Sequence, residues 1–400
     1  MIQSLLFVSF LMKLLFLLYL DDTIVTSQSQ GGNHGTECKK KNDSADHCDC
    51  RICDRKIAGQ IHLESLVGRN DVWRKLFVKK EKRKGKMKFV FLCIGLFLAS
   101  MIAGAASKAL IKPSWSKEYS VDFTEEIGKS YTDLSYGDND ANKFDLYIPA
   151  DNSKENYGLV VYLHAGGFTS GDKSGDRNML EWLCSKGYVT AGINYTLRTE
   201  ENDSSVLSQS NEIKAAMPVV IEEAGKLGYH IDKIAMAGGS AGHCLAMIYA
   251  FRDGKEAPVP VVLTFGAVGP SCFYQEDWGI YGLDQDDEAC AYMFSVMSGT
   301  EITAEEIQNR TYLEKVKQIS AAEYVSNNPV PSVVAYGVHD KVQPYLGALR
   351  LKAALEENSV DHQFFVLEHS GHGLQNDNKV YGEWLACVEE YLDKYMPISD

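Results

Sequence analysis

The chain reads as an α/β protein built on a mostly parallel sheet with helices on both faces. Three observations carry that reading. From about Ile111 onward, short apolar runs alternate with helical stretches, the rhythm of strand–helix–strand units. The run Leu159–Leu163 (LVVYL) is apolar without interruption, as a strand buried on both faces must be. Apolar residues make up 45% of the chain and charged residues 24%. Those globular proportions exclude a disordered chain, a collagen-like repeat and a small disulfide scaffold.

In chain order, Asp145–Ile148 predicts a short strand ahead of LVVYL. Met179–Cys184 predicts a helix and Tyr188–Tyr195 a strand. Ser210–Leu227 has apolar residues at helical spacing. Ile234–Ala237 is a strand that runs into a helix, Gly242–Phe251. Val259–Phe265, Val333–Tyr336 and Phe364–Leu367 are further strands, and Tyr345–Glu357 and Val380–Tyr395 further helices. Between about 271 and 325 the rhythm breaks. Phe273, Tyr274, Trp278, Tyr281, Tyr292 and Phe294 stand among Glu276, Asp277, Asp284, Asp286, Asp287 and Glu288. This stretch is expected to be a cap over the carboxyl ends of the strands, lining the site.

The front of the chain differs in charge. Residues 1–106 hold 17 Lys and Arg against 10 Asp and Glu, and the remainder holds 23 against 44. An acidic body does not suit nucleic acid, which needs clustered Lys and Arg. Residues 1–86 read as a basic, poorly ordered extension, and 87–110 as a signal peptide or a signal anchor. Phe89–Ala106 is apolar and uncharged, follows the basic run Lys79–Lys88 and ends on Ala103-Gly104-Ala105. That order of features fits export of residues 111–400, with membrane contact only through the apolar segment. A start at Met87 gives a compact signal peptide, with residues 1–86 as upstream sequence misread as protein. Cys38, Cys48, Cys50 and Cys53, with His34 and His47 nearby, have ligand types that suit zinc. Their spacing does not, because three cysteines crowd together and one stands apart.

Gly238-Gly239-Ser240-Ala241-Gly242 is a G-x-S-x-G sequence between a predicted strand and a predicted helix, the setting that exposes a nucleophilic serine on a sharp turn. His164-Ala165-Gly166-Gly167 directly follows LVVYL, and its glycines let backbone N–H groups approach a substrate oxygen. Gly166, Gly167 and Ala241 are the candidate oxyanion donors, and His164 is expected to brace the loop. A serine needs a base, and the base an orienting acid. Asp340 and His372 each follow a predicted strand in the order such sites use. His369 is a rival base, disfavoured because glycines flank His372. Glu368 and Asp377 are weaker rivals to Asp340. His243, His339 and His362 read as surface or structural. Of the five cysteines beyond residue 110, Cys272 and Cys290 bracket part of the cap and are placed to bridge after export. Cys244 reads as a small core residue.

On HAGG, GGSAG, GxxD and HG in that order, residues from about 130 to 397 resemble the alpha/beta hydrolase superfamily, and within it the carboxylesterase and feruloyl-esterase-like group. The resemblance implies an eight-stranded, mostly parallel sheet and a Ser-Asp-His triad at Ser240, Asp340 and His372, with no cofactor. Ala165 departs from a Gly common in that group's oxyanion loop. The expected activity is hydrolysis of small carboxylic esters, short-acyl or sugar-linked. A serine peptidase of the same superfamily and a non-catalytic binding protein are the competing readings. Oligomeric state is not legible.

Overall fold

The computed structural model describes residues 92, 94–101 and 119–398. The chain divides into two units, Met1–Lys112 and Pro113–Asp400. In the first, residues 92 and 94–101 are helical, with Leu92, Ile94, Leu96, Leu98 and Met101 exposed. Among the described residues no helix is long and apolar enough to cross a membrane. The expectations for the cysteine-rich stretch, the start at Met87 and the A-x-A site fall outside the described residues.

The second unit is an eight-stranded sheet. Its strands are β1 (Gly128–Ser135), β2 (Lys143–Pro149), β3 (Tyr157–Leu163), β4 (Val189–Ile193), β5 (Ile231–Gly239), β6 (Val261–Ala267), β7 (Ser332–Gly337) and β8 (His362–Leu367). They lie in the order β1-β2-β4-β3-β5-β6-β7-β8. β2 is antiparallel to both β1 and β4, and every other neighbouring pair is parallel. Leu159, Val160 and Val161 are all fully buried, so both faces of β3 are covered. Their consecutive burial explains why the run is apolar without alternation.

The main helices are α1 (Arg177–Ser185), α2 (Val206–Lys226), α3 (Ala241–Ile248), α4 (Asp287–Ser298), α5 (Ala304–Gln308), α6 (Leu313–Val316), α7 (Tyr345–Glu357) and α8 (Asn378–Tyr395). α2 begins on a capping box, with the Ser205 side chain accepting from the Ser208 amide and Ser208 Oγ accepting from the Ser205 amide. The helix read as Gly242–Phe251 is α3 followed by a π-helical turn, Tyr249–Asp253.

The stretch between β6 and β7 forms its own layer of short helices, α4 to α6 among them. Phe273, Trp278, Phe294 and Tyr312 are buried and pack edge, tilted or stacked on one another at centroid distances of 5.5–5.9 Å. Three of the six aromatic residues expected to line a site, Phe273, Trp278 and Phe294, are therefore the interior of this layer. Tyr281 and Tyr292 remain exposed. The bridge that Cys272 and Cys290 could have made is not formed, and both thiols are free and buried. Cys272 Sγ points instead to the Asp277 carboxylate at 3.7 Å and the Gly347 carbonyl at 4.0 Å. Cys244 is fully buried.

Arg350 of α7 holds the cap, pairing with Asp277 and, at 3.3 Å, with Glu276. Arg350 donates from Nε and Nη2 to the two carboxylate oxygens of Asp277, at 2.5 and 3.0 Å, and its guanidinium lies 4.1 Å from the centre of the Tyr274 ring. Asp277 is buried, so removing the arginine strands a carboxylate. Arg350→Ala should lower stability by about 2 kcal/mol, discounted because the arginine is partly exposed. Chemical denaturation at neutral pH measures it, and an unchanged midpoint would show that the cap does not depend on this pair.

Candidate active site

β5 ends at Gly239 and α3 starts at Ala241, so Ser240 alone makes the turn. Its backbone sits at φ 52°, ψ −118°, a region that L residues rarely adopt and that costs of order 1–3 kcal/mol. The turn closes because its neighbours lack side chains. A Cβ on Gly242 would stand 1.9 Å from the Leu163 carbonyl oxygen and 2.7 Å from that of His164. That glycine is what lets the turn press against the end of β3, whose Leu163 pairs with Gly238 of β5. The Ser240 amide donates to the Ala267 carbonyl at 2.8 Å, fixing the turn against β6 as well.

His372 Nε2 lies 2.8 Å from Ser240 Oγ, and His372 Nδ1 lies 2.8 Å from Asp340 Oδ2. The carboxylate can only accept, so Nδ1 carries the proton and Nε2 is left to accept from the serine hydroxyl. Asp340 is buried, and its other oxygen accepts from the amides of Val342 at 2.7 Å and Gln343 at 2.9 Å. The loops holding acid and base lock together. The His339 amide donates to the Ser370 carbonyl and the Val338 amide to the Leu367 carbonyl. A Cβ on Gly337 would meet Ser370 and Gly371 oxygens at 2.5–2.6 Å.

The oxyanion-loop glycines have left-handed backbones, Gly166 at φ 142° and Gly167 at φ 61°. The Gly166 carbonyl is held by the amides of Thr169 and Ser170, which folds the loop into a tight turn. His164 is buried, its Nδ1–H donates to the Ala165 carbonyl at 2.9 Å, and its ring stacks on Tyr195 at 4.3 Å. The Tyr195 hydroxyl donates to the His164 carbonyl at 2.9 Å. Burial lowers the His164 pKa, so the ring stays neutral and braces the loop. Further along, the buried Lys173 ammonium bridges Asp133 at 2.7 Å and Asp145 at 3.2 Å, tying the loop's exit to β1 and β2.

The rival residues stand apart from the serine. His369 is exposed and its Nδ1 lies 2.9 Å from Asp377, which also accepts from the His369 amide and the Ser370 hydroxyl. Glu368, His339 and His362 sit at the surface or half-buried. His243 is fully buried, and burial pushes its pKa down to about 3. A cavity of about 610 Å³ opens between α4 and the loop before α2, lined by Arg198, Asp203, Glu288, Tyr292 and Ile302. No triad residue lines it, so the cavity is separate from the chemistry.

Three partners of the triad escape a reading of the sequence. The Val342 and Gln343 amides follow Asp340 as an Asx turn, which a D-x-x pattern signals weakly. Tyr281 is named among the aromatic residues of the cap, but nothing in the sequence signals that its hydroxyl donates to the Val342 carbonyl at 2.8 Å.

Asp176 heads α1 just beyond the oxyanion loop, and burial pushes its pKa up to about 7. The side chain is nonetheless partly exposed, so the energetic weight of that shift is discounted. A carboxyl raised in the folded state favours the protonated form, so it costs stability as pH climbs from the ordinary Asp range toward 7. Asp176→Asn should gain about 1 kcal/mol at pH 8 and almost nothing at pH 4. Melting curves at the two pH values check this, and equal gains at both would refute it.

Residues 144–269 match the BD-FAE family and residues 286–398 the prolyl oligopeptidase family. A kynurenine formamidase of Salmo salar is 30% identical over 135 residues, which are 33% of this chain and 42% of the relative. A probable isoprenylcysteine alpha-carbonyl methylesterase of Oryza sativa subsp. japonica is 27% identical over 136 residues, 34% of this chain and 31% of the relative. The chain thus spans less than half the length of the curated relatives it matches. Among solved structures, esterase B of Lactobacillus Rhamnosis superposes with a TM-score of 0.53 at 20% identity, covering 74% of this chain and 93% of that one. The esterase Est2 of Thermogutta terrifontis gives 0.53 at 20% identity over 69% of this chain and 95% of its own. At such identities the likeness is one of fold.

Proposed function

We propose that this chain, an alpha/beta hydrolase by its sheet order and its feruloyl-esterase-like family match, cleaves small carboxylic esters through an acyl-enzyme. The observation that carries the reading is the line Ser240–His372–Asp340, joined by two 2.8 Å hydrogen bonds and brought together from the turn after β5 and the loops after β8 and β7. In the first half-reaction Ser240 Oγ attacks the ester carbonyl carbon and its proton passes to His372 Nε2. The carbonyl oxygen gains the negative charge and rests on the amides of Gly166, Gly167 and Ala241, aided by the positive end of α3. The tetrahedral adduct collapses, and the leaving alcohol takes the proton from His372. Water then attacks the acyl carbon with His372 as base, releasing the acid and restoring the serine. Asp340 holds the imidazole tautomer and offsets its transient charge.

The relatives named as a formamidase and a methylesterase favour small groups at the scissile bond, in keeping with a short-acyl or sugar-linked ester. A p-nitrophenyl series from acetate to decanoate tests this. Turnover highest on short chains supports the reading, and no turnover on any ester overturns it. The prolyl oligopeptidase match over 286–398 spans the acid and base loops and favours a peptidase as the second reading. Matched peptide substrates that outpace esters would establish that alternative.

The basic run and apolar segment of residues 79–106 support a catalytic domain outside the cytoplasm, secreted or tethered. Recovery of the folded hydrolase only in the cytosol on fractionation would overturn that placement.

A further inference from the structure

The acid loop is held from two sides. Its inner limb, Gly337 to Asp340, is fixed by the base loop through the hydrogen bonds of Val338 and His339. Its outer limb reaches solvent at Val342, which is 47% exposed. There the cap takes hold. Tyr281 closes the 3₁₀ segment Gln275–Tyr281, and its hydroxyl donates to the Val342 carbonyl at 2.8 Å.

That carbonyl belongs to the peptide unit between Val342 and Gln343. The N–H of the same unit donates to Asp340 Oδ1 at 2.9 Å. A single peptide group is therefore gripped at its oxygen by the cap and at its hydrogen by the acid of the triad. Accepting a bond at the oxygen polarises the amide and strengthens the bond its N–H donates. The ring of Tyr281 is itself anchored. It packs on Trp278 at 5.8 Å, and Trp278 is buried in the cap's aromatic interior. One residue back, Asp277 is clamped by Arg350. The hydroxyl is thus the rigid tip of a fastened element.

We propose that Tyr281 is a positioning residue of the triad, setting Asp340 through the Val342–Gln343 peptide and coupling the seating of the cap to the nucleophilicity of Ser240. This rests on the serine-hydrolase reading above. Tyr281 touches none of the reacting atoms. Its loss acts on the speed of chemistry and leaves affinity alone.

Tyr281→Phe keeps the ring and its packing and removes only the hydroxyl. Two rates report on it in the full-length protein: kcat and KM on the best p-nitrophenyl ester, and the second-order rate of Ser240 labelling by a serine-directed fluorophosphonate. Labelling needs the activated serine but no particular substrate. The variant should lose roughly three- to tenfold in both kcat and labelling rate, the weight of one hydrogen bond, with KM and melting temperature unchanged. Wild-type rates in the variant overturn the proposal and leave the esterase reading standing. A rise in KM alone also overturns it, because the ring would then be touching substrate. Wild-type protein that labels but hydrolyses no ester defeats the esterase reading, and the proposal is then decided on labelling rates alone. Wild-type protein that resists labelling defeats both.

Discussion

Ser240→Ala should lower ester turnover by roughly 10⁴- to 10⁶-fold, since removing the nucleophile of such a triad leaves only binding and the oxyanion donors. The fold should survive. The side chain's hydrogen bond is to His372 alone, while the turn is held by the Ser240 amide on Ala267 and by the close approach of Gly242 to β3. Ser240→Gly separates chemistry from strain. It is equally inactive, yet glycine accepts φ 52° without the penalty an L side chain carries there. It should exceed Ser240→Ala in stability by about 1 kcal/mol. Steady-state assays and paired denaturation curves read both effects. Activity in Ser240→Ala near the wild-type level would remove Ser240 from the mechanism.

Asp340→Asn should cost roughly 10³- to 10⁴-fold in kcat. The carboxylate accepts three hydrogen bonds, from His372 Nδ1 and from the amides of Val342 and Gln343. A carboxamide has one accepting oxygen and one NH₂. If the oxygen keeps the two amides, the NH₂ faces Nδ1, and the imidazole must present its lone pair there and its proton to the serine. That is the wrong tautomer for a base. If the amide flips, the N–H groups of residues 342 and 343, the second of them buried, lose their acceptor, at about 1–3 kcal/mol of stability. Kinetics and melting therefore trade against each other in this variant. Full activity with full stability would show that Asp340 has no part in orienting the base.

The central parallel strands were the most legible part of the chain because they are buried on both faces. β3 and β7 announce themselves as unbroken apolar runs, and α7 has the bounds that its spacing predicts. β1 gave no such signal. Its sequence GKSYTDLS is largely exposed, it pairs with β2 alone, and its register slips between Tyr131 and Leu134. An edge strand held by backbone bonds needs little apolar patterning. β5 was read short because Ile231-Asp232-Lys233 is mixed and Gly238-Gly239 lacks side chains, though all belong to the strand. The site was legible where it uses rare residue types on fixed turns, as at Ser240 and His372. It was illegible where it uses backbone, as with the amides on Asp340, and Tyr281 was legible as a cap aromatic but not in its contact with Val342. Cys272 and Cys290 bracket part of the cap without bridging it, because Cys272 is turned toward Asp277.

The order of the catalytic residues along the chain also governs when the site comes into being. Ser240 and His372 are separated by 132 positions, with the cap and three strands between them. β8, which presents the base, pairs only with β7 at the rim of the sheet. Contacts this distant in sequence form late, after nearer ones have repaid the entropy of closing the loop. The serine turn draws on β3, β5 and β6, all of which precede β8 in the chain. A chain in which β8 has not docked therefore holds Ser240 without the imidazole that its hydroxyl meets in the folded protein.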